Sequence, residues 1–456
     1  MADTALEHDL DSIQEHLDDV QAVFARAKEF GPIDSLNAIP PGDVTALRAK
    51  MDGLHSADVA HILEALPLDE RTIVWDLVKA ERDGEILLEV SDAVRDSLIA
   101  SMQPAELVAA TEQLDADEIA DLAPDLPPEV FDDVVQSLSV EDREQLREAM
   151  SYPEDSVGAL MDFEMVTVRG DVTLEVALRY LRRLDELPGH TDQMFVVDRD
   201  ERLEGVLPIN KLIVNDPDVL VSSLMSREMV KLSPGDQAQD AAQAFERYDL
   251  VSAPVVDEDG KLIGRVTVNT VVDFIRDESE SELLSQAGLR EEEDVFASVW
   301  KSLHNRWAWL ALNLVTAFIA SRVIGLFEGS IEKLVALAAL MPIVAGIGGN
   351  SGNQTITMIV RASALGQIEV GHAARLFRKE VTVSMLNGLL WGGIIGIVAY
   401  LLYGSVRLGL VMTLAMTLNL MLAALMGVAI PMAMLKLGRD PALGSSVLIT
   451  ACTDSG

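Results

Sequence analysis

The last third of this 456-residue chain is a series of five apolar segments, at about 307–327, 333–359, 381–403, 408–436 and 442–456. The first four are long enough to cross a hydrocarbon layer of about 30 Å, which takes about 20 helical residues. Nothing else constrains the fold as strongly. In lipid every backbone N–H and C=O has to be satisfied internally, so such runs are helices. The sequence stops at Gly456 part-way along the fifth run, so that span is expected to be cut short.

The second segment contains Pro342, four glycines (Gly346, Gly348, Gly349, Gly352) and the amides Asn350, Asn353 and Gln354. Glycine lets a neighbouring helix or a pore approach the backbone, and amides in hydrocarbon need partners. Two readings stay open on this stretch: a tight helix-packing seam, or a wall lining a polar path.

Charge divides the chain. Residues before Lys301 carry 24 Lys+Arg against 68 Asp+Glu, a net of −44, while from Lys301 onward there are 11 against 6, a net of +5. The acidic part repels nucleic acid and attracts cations, so no nucleic-acid partner is expected. Cys452 is the single cysteine, which excludes a disulfide framework and fits a reducing compartment. The amino terminus has no basic region followed by an apolar one, so no cleavable signal peptide is expected. Lys301, His304, Arg306, Arg361, Arg375, Arg378, Lys379, Lys436 and Arg439 flank alternate ends of the spans. Placing these basic loops inside puts the acidic part in the cytoplasm.

Residues 1–30 place Leu6, Leu10, Ile13, Leu17, Val20 and Phe24 on one helical face and form an amino-terminal helical extension. Over 31–150, short helical units open on Ser, Asp or Pro with acidic first turns, at a spacing near 15 residues. They predict a superhelical stack of helix pairs. Beyond Tyr152-Pro153 the pattern becomes mixed α/β: a short strand, a helix opening at Thr173 or Asp236, a strand ending in Val-Val-Asp, a turn and another strand. This plan occurs twice, over 151–220 and 221–276, with a period of roughly 65 residues, and resembles a tandem CBS pair. Residues 277–300 are acidic and helix-prone and predict a connecting helix into the membrane domain, 301–456.

Asp454 lies inside the fifth apolar segment, about 20 Å along it at ~1.5 Å per residue. A carboxylate there is costly unless it faces water or a cation, and no basic residue lies at comparable depth. Asp440 sits in the turn before that segment, where it faces the cytoplasmic mouth or caps the helix. With no His or Cys cluster, the donors are hard oxygens that suit Mg²⁺ or Ca²⁺ and tolerate Mn²⁺.

The segments MPIVAGIGGNSGNQTITMIVRA and Arg-Leu-Phe-Arg-Lys-Glu380, the ending GRDPALGSSVLITACTDSG and the domain order ahead of them resemble the MgtE family of magnesium channels and transporters over nearly the whole chain. The resemblance implies a multidomain fold: an α-helical superhelical N-terminal domain, an α/β tandem CBS pair, a connecting plug helix and an α-helical transmembrane domain of five spans. It implies a homodimeric, Mg²⁺-selective channel in the inner membrane of a bacterium, importing Mg²⁺. The second and fifth helices would line the pore, with Asp454, Gly349, Asn350, Asn353 and Gln354 on the path and Asp440 near its mouth. Regulatory Mg²⁺ would bind Glu85, Asp117, Asp121, Asp249, Asp273, Glu278 and Glu282, and ATP would be a ligand of the CBS pair. Asn269-Thr270 stand where the family commonly has two acidic residues, and Gln237 and Gln239 where acids also occur, which weakens some of these sites. The alternative is a proton- or Na⁺-coupled divalent cation transporter. No nucleophile–base set, P-loop or metal-hydrolase motif suggests an enzyme.

Overall fold

Amphipathic periodicity carries the amino-terminal part of the chain. In the computed structural model, which describes residues 2–29, 33, 35–184, 187–289, 294–364, 373–437 and 444–456, helix α1 (Ala2–Lys28) buries Leu17, Val20, Val23, Phe24 and Ala27. These residues enter the same core as the helices that follow, so the amino-terminal extension is part of that domain. The helices are α2 (Pro41–Gly53), α3 (Ser56–Glu64), α4 (Leu68–Trp75), α5 (Asp83–Glu89), α6 (Asp92–Ile99), α7 (Pro104–Thr111), α8 (Ala116–Leu122), α9 (Pro128–Ser137) and α10 (Val140–Ala149).

Helices α4, α6, α8 and α10 start at residues 68, 92, 116 and 140, a period of twenty-four rather than the expected fifteen, because each repeat is a pair of helices. The same side chain marks three of the four repeats. Nε of Arg71, Arg95 and Arg143 donates to the carbonyl eight residues back (Leu63, Leu87, Val135; 2.8 Å each). Nη2 donates to the carbonyl five residues back (Leu66, Val90, Leu138). Each guanidinium thus satisfies carbonyls left open at the end of the preceding helix. In the third repeat the position holds the fully buried Ile119.

Arg71 has a further partner. Its Nη1 and Nη2 donate to Asp294 at 2.7 and 3.1 Å, the Arg71 side chain being 0% and that of Asp294 9% exposed. Asp294 stands four residues before Ser298, the N-cap of the first long apolar helix.

The mixed region contains β1 (Thr167–Arg169), α11 (Leu174–Leu181), β2 (Gln193–Val197), β3 (Leu203–Pro208), α12 (Ile209–Val214), α13 (Val221–Leu224), α14 (Ala238–Tyr248), β4 (Ser252–Val256) and β5 (Leu262–Thr267). β1 runs parallel to β2, and β2 antiparallel to β3; β4 and β5 form the second, antiparallel pair. A parallel bridge from Leu232 to Val255 repeats the β1–β2 contact. The duplication extends to its turns. Asp198 accepts from the N–H groups of Asp200 and Arg202 at 2.8 and 2.9 Å, and Asp257 from those of Asp259 and Lys261 at 2.9 and 2.8 Å. The repeated Val-Val-Asp is therefore an Asx turn that closes each hairpin.

Helix α15 (Val268–Ala287) continues from the second hairpin. Among the described residues of the segment 277–300, where a connecting helix is expected, the chain is helical to Ala287 and again from Val299, and Asp294–Ala297 is not helical. Gly288 ends the helix at φ +81°, where a Cβ would lie 2.1 Å from the Trp309 ring. Both backbone conformation and contact therefore require glycine there.

Two units divide the chain, Met1–Glu278 with Glu293–Ala297, and Ser279–Glu292 with Ser298–Gly456. The second comprises the end of α15 together with α16 (Val299–Gly325), α17 (Glu328–Lys333), α18 (Ala336–Ala364), α19 (Ala373–Tyr403), α20 (Val406–Lys436) and α21 (Ser445–Ser455). Among the described residues three helices, α16, α19 and α20, are long and apolar enough to cross a membrane. Helix α18 has 29 residues, but its glycines and amides dilute its apolar character, and α21 has 11. Helices α19 and α20 form an antiparallel hairpin on small residues: Gly388 against Thr417, Gly392 against Thr413 and Gly396 against Gly409. Thr413 Oγ1 also donates to the Gly392 carbonyl at 2.9 Å.

The Arg71–Asp294 pair makes a direct test. Arg71→Met strands a buried carboxylate and is expected to destabilise the first unit by about 3–5 kcal/mol. Adding Asp294→Leu should recover much of that loss. Equal chemical-denaturation midpoints for wild type and Arg71→Met would count against a structural role.

Candidate functional site

Helix α18 presents two different faces, one packed and one polar. On the packed face, a Cβ at Gly348 would lie 2.3 Å from Asn419 Nδ2 of α20, and one at Gly352 2.3 Å from Ile449 Cγ1 of α21. Gly427 of α20 sits against Thr355 and the Gly352 carbonyl, and Gly349 against Thr453 Oγ1. Residues 348, 352, 355, 356, 359 and 360 thus form a seam.

The other face is polar. Asn350, Asn353, Gln354, Thr357, Met358, Arg361 and Ala362 recur at spacings of three and four and line one cavity of about 840 Å³. Asn353 Oδ1 is buried there without a hydrogen-bond partner. An orphaned amide oxygen is costly in an apolar surrounding and is the kind of group a cation or its water would satisfy.

Asn350, Asn353 and Gln354 line this cavity together, whereas Gly349 is buried on the packed face against Thr453. Asp454 lies in α21, one residue beyond the Thr453 that touches Gly349; it is exposed and is not among the residues lining the cavity. Asp440 lies outside the described residues. Two features escape sequence reasoning, one in the cavity and one on the packed face. Arg361 puts a cation at one end of the amide row. Asn419, 5% exposed, donates to the Val344 carbonyl at 3.0 Å and keeps a buried Oδ1 with no hydrogen-bond partner. Its signal was a lone amide in the apolar run of α20.

A second cluster forms in the first unit. Burial pushes the Asp117 carboxyl up to about 8, and the charge of Asp162 adds to the rise. Asp117 Oδ1 is buried without a hydrogen-bond partner. Lost solvation raises Asp121 to about 6 against the pull of Arg95, with Glu118, Asp273 and Asp277 adding to it, although its side chain still meets solvent. Burial also raises Asp115, Glu118, Asp162 and Glu164. Asp162 keeps a partner in Arg265, at 2.8 Å.

Of the residues expected to bind regulatory metal, Asp117, Asp121 and Asp273 share this cluster through their charges. Glu85 is exposed, accepts from Ser56 Oγ at 2.7 Å and adds its charge to Glu118. Asp249 stands apart as the left-handed C-cap of α14, φ 51°, a conformation Asp tolerates. Glu278 is exposed on α15; Glu282 lies on the same helix. The contributions of Asp115, Glu118 and Asp162 were not anticipated, because they depend on how the helical and mixed regions meet. Among the described residues no three acidic or histidine side chains are gathered closely enough to hold a metal ion.

The sequence profiles of three known families match in chain order: the MgtE intracellular N domain at 54–155, the CBS domain at 157–215 and 221–277, and the divalent cation transporter MgtE at 341–456. The chain is similar to the magnesium transporter MgtE of Thermus thermophilus, 30% identical over 431 residues, covering 91% of this chain and 94% of the relative. It is 26% identical to the magnesium transporter MgtE of Bacillus subtilis over 413 residues, 91% of this chain and 92% of the relative. Among solved structures it is similar to the cytosolic domain of the Mg²⁺ channel MgtE in complex with ATP, at 31% identity and a TM-score of 0.47, covering 51% of this chain and 95% of that one.

Two outcomes follow from the geometry. Gly352→Val is expected to cost about 1–3 kcal/mol by overpacking against Ile449, while Gly346→Ala, with open space at its Cβ, should be neutral. Thermal unfolding of the detergent-solubilised chain compares them. Asp117 binds its proton more tightly folded than unfolded, since about 8 lies above the ordinary 3.8. Its contribution is therefore present below about pH 4 and lost as pH rises toward about 8. Asp117→Asn should flatten the fall of the unfolding midpoint over that window; an unchanged slope would remove the buried carboxyl from the account.

Proposed function

The chain belongs to the MgtE family of magnesium transporters, and we propose that it is a Mg²⁺-selective channel importing Mg²⁺ across the inner membrane of a bacterium. The observation that carries this reading is the single face of α18 on which Asn350, Asn353 and Gln354 line a cavity of about 840 Å³ within an otherwise apolar unit. Mg²⁺ gives up its water reluctantly, so neutral oxygens that bind the hydrated ion through its waters suit passage better than a closed cage of carboxylates. In a homodimer, two such faces and two Asp454 carboxylates would meet across the subunit interface. Asp454 would supply the charge that selects a cation, and the amides the neutral contacts. Asp440 would stand at the cytoplasmic mouth, with five spans per subunit and the acidic unit in the cytoplasm.

Regulation in this proposal comes from the acidic unit. The orphaned oxygen of Asp117 and its acidic neighbours supply hard donors of the type Mg²⁺ prefers. Because no three are gathered within coordinating reach among the described residues, an ion would have to draw them together. Binding would favour the compact arrangement by its differential affinity and close the channel at high internal Mg²⁺. Glu85, Asp121, Asp249, Asp273, Glu278 and Glu282 are the further candidates. ATP would enter as a ligand of the CBS pair.

Flux into liposomes tests the pore. Asp454→Ala is expected to reduce Mg²⁺ entry at least about tenfold while leaving the fold of the first unit intact, since an interaction of about 1.4 kcal/mol already accounts for that factor. Undiminished flux would remove Asp454 from the path. With internal Mg²⁺ varied, Asp117→Asn should shift closure to higher concentration.

A further inference from the structure

The first turns of α19 carry a basic feature that cation passage leaves unexplained. Arg375, Arg378 and Lys379 line a cavity of about 740 Å³ together with Thr382 and Val383. All three cations are exposed, and among the described residues neither Arg375 nor Arg378 has an ion-pair partner. The neighbouring carboxylate, Glu380, is 7% exposed and belongs to the opposite face, which continues through Ser384 and Gly388 into the packing against α20. It forms a long ion pair with Lys379, at 3.6 Å, and leaves the two arginines to the cavity. Thr382 donates its hydroxyl proton to the Arg378 carbonyl at 2.7 Å, so recognition in the cavity falls to the three cations.

A second observation lies directly along the helix. From Lys379 the same face continues through Val383, Leu386, Leu390, Ile397 and Leu401, spaced at helical intervals and 43%, 60%, 58%, 62% and 72% exposed. Between Leu390 and Ile397 this stripe passes Gly393, where a Cβ would meet nothing within 4 Å. The gap forms a shallow notch in an apolar ridge. Lys379 and Gly393 are fourteen residues apart, about 21 Å along the axis, comparable with the ~15 Å of hydrocarbon in one leaflet plus its polar margin.

We infer that this face binds one anionic phospholipid, its phosphate among Arg375, Arg378 and Lys379 and an acyl chain along Leu386 and Leu390 toward the Gly393 notch. A phosphate alone would satisfy the cations, but it would leave the contiguous apolar stripe without a role; the lipid matches both parts. Arginine suits the phosphate through its planar fork and lysine as a point charge. The site shares no lining residue with the amide row of α18, so lipid occupancy and ion passage are separately measurable.

The test uses the full chain purified in a neutral detergent. Phosphatidylglycerol, phosphatidylcholine and inorganic phosphate are each titrated, with lipid retention read by mass of the intact complex and stability by thermal unfolding. Phosphatidylglycerol is expected to be retained in preference to phosphatidylcholine and to raise the midpoint. Arg375→Gln, Arg378→Gln and Lys379→Gln should each weaken its retention about fivefold. Leu386→Asn with Leu390→Asn should weaken both lipids without affecting inorganic phosphate. Equal retention of the two lipids would overturn the assignment, as would a preference that survives the charge substitutions. So would inorganic phosphate displacing the lipid at equal concentration, which would make the site one for a free anion. Single substitutions keep the test valid where a triple variant fails to fold.

Discussion

A helix that presents amides in an apolar surrounding persists only where neighbouring helices take up its other polar groups, and the second unit depends on that condition. Helix α18 holds Pro342, four glycines and three amides, a composition that would not stabilise an isolated helix in lipid. Its glycines at 348 and 352 let α20 and α21 come close enough for side chains to reach the α18 backbone. Asn419 illustrates the return: its amide donates to Val344 only because Gly348 has no side chain in the way. The seam and the polar face are therefore one design. The residues that give up side chains to packing free the adjacent positions to carry the amides.

The first unit works under the opposite constraint, an excess of like charge. Its stack of helix pairs sets aside arginines to hold the ends of its own helices together. Arg71 then uses its remaining donors on Asp294, and Arg95 on Asp125 at 3.1 Å. Among the described residues Asp117 Oδ1 receives no such partner, and its raised proton affinity records the cost. That cost makes the cluster responsive. A group already well paired gains little from a cation, whereas an orphaned, partly desolvated carboxylate gains the full interaction.

Local pattern made much of this legible. The amphipathic face of α1, the twofold plan of the mixed region and the apolar runs all follow from periodicity, which depends on neighbours along the chain. The helix-pair period is hard to read from the sequence, because Pro and acidic residues open every helix, whereas the recurring arginine bonded to paired carbonyls identifies the repeat. Gly288 was equally hard to interpret: only its contact with Trp309 shows why the connecting helix ends there. At the candidate site, Asn350, Asn353 and Gln354 stand out in the sequence as amides within an apolar segment. Asn419 and Asp162 act across sequence-distant elements and left only single-residue signals.

The energetics of closure favour a distributed cluster over a single site. Moving a two-state equilibrium from 1:99 to 99:1 requires about 5.5 kcal/mol of differential binding. Coupling free energies for one effector are typically about 1–3 kcal/mol. In the proposed gating, then, two or more ions must act together, and the carboxylates must be spread over surfaces that approach one another. The charge interactions that join Asp117 to Asp162 and Asp121 to Asp273 have that distribution, with one partner in the helical repeats and the other in the mixed region or α15. Asp249, fixed as a helix cap and exposed, contributes charge without the penalty of burial. A chain with Asn269-Thr270 in place of two acids has fewer carboxylates to set against one another there, so in the proposed gating Asp117 would carry a larger share of the switch.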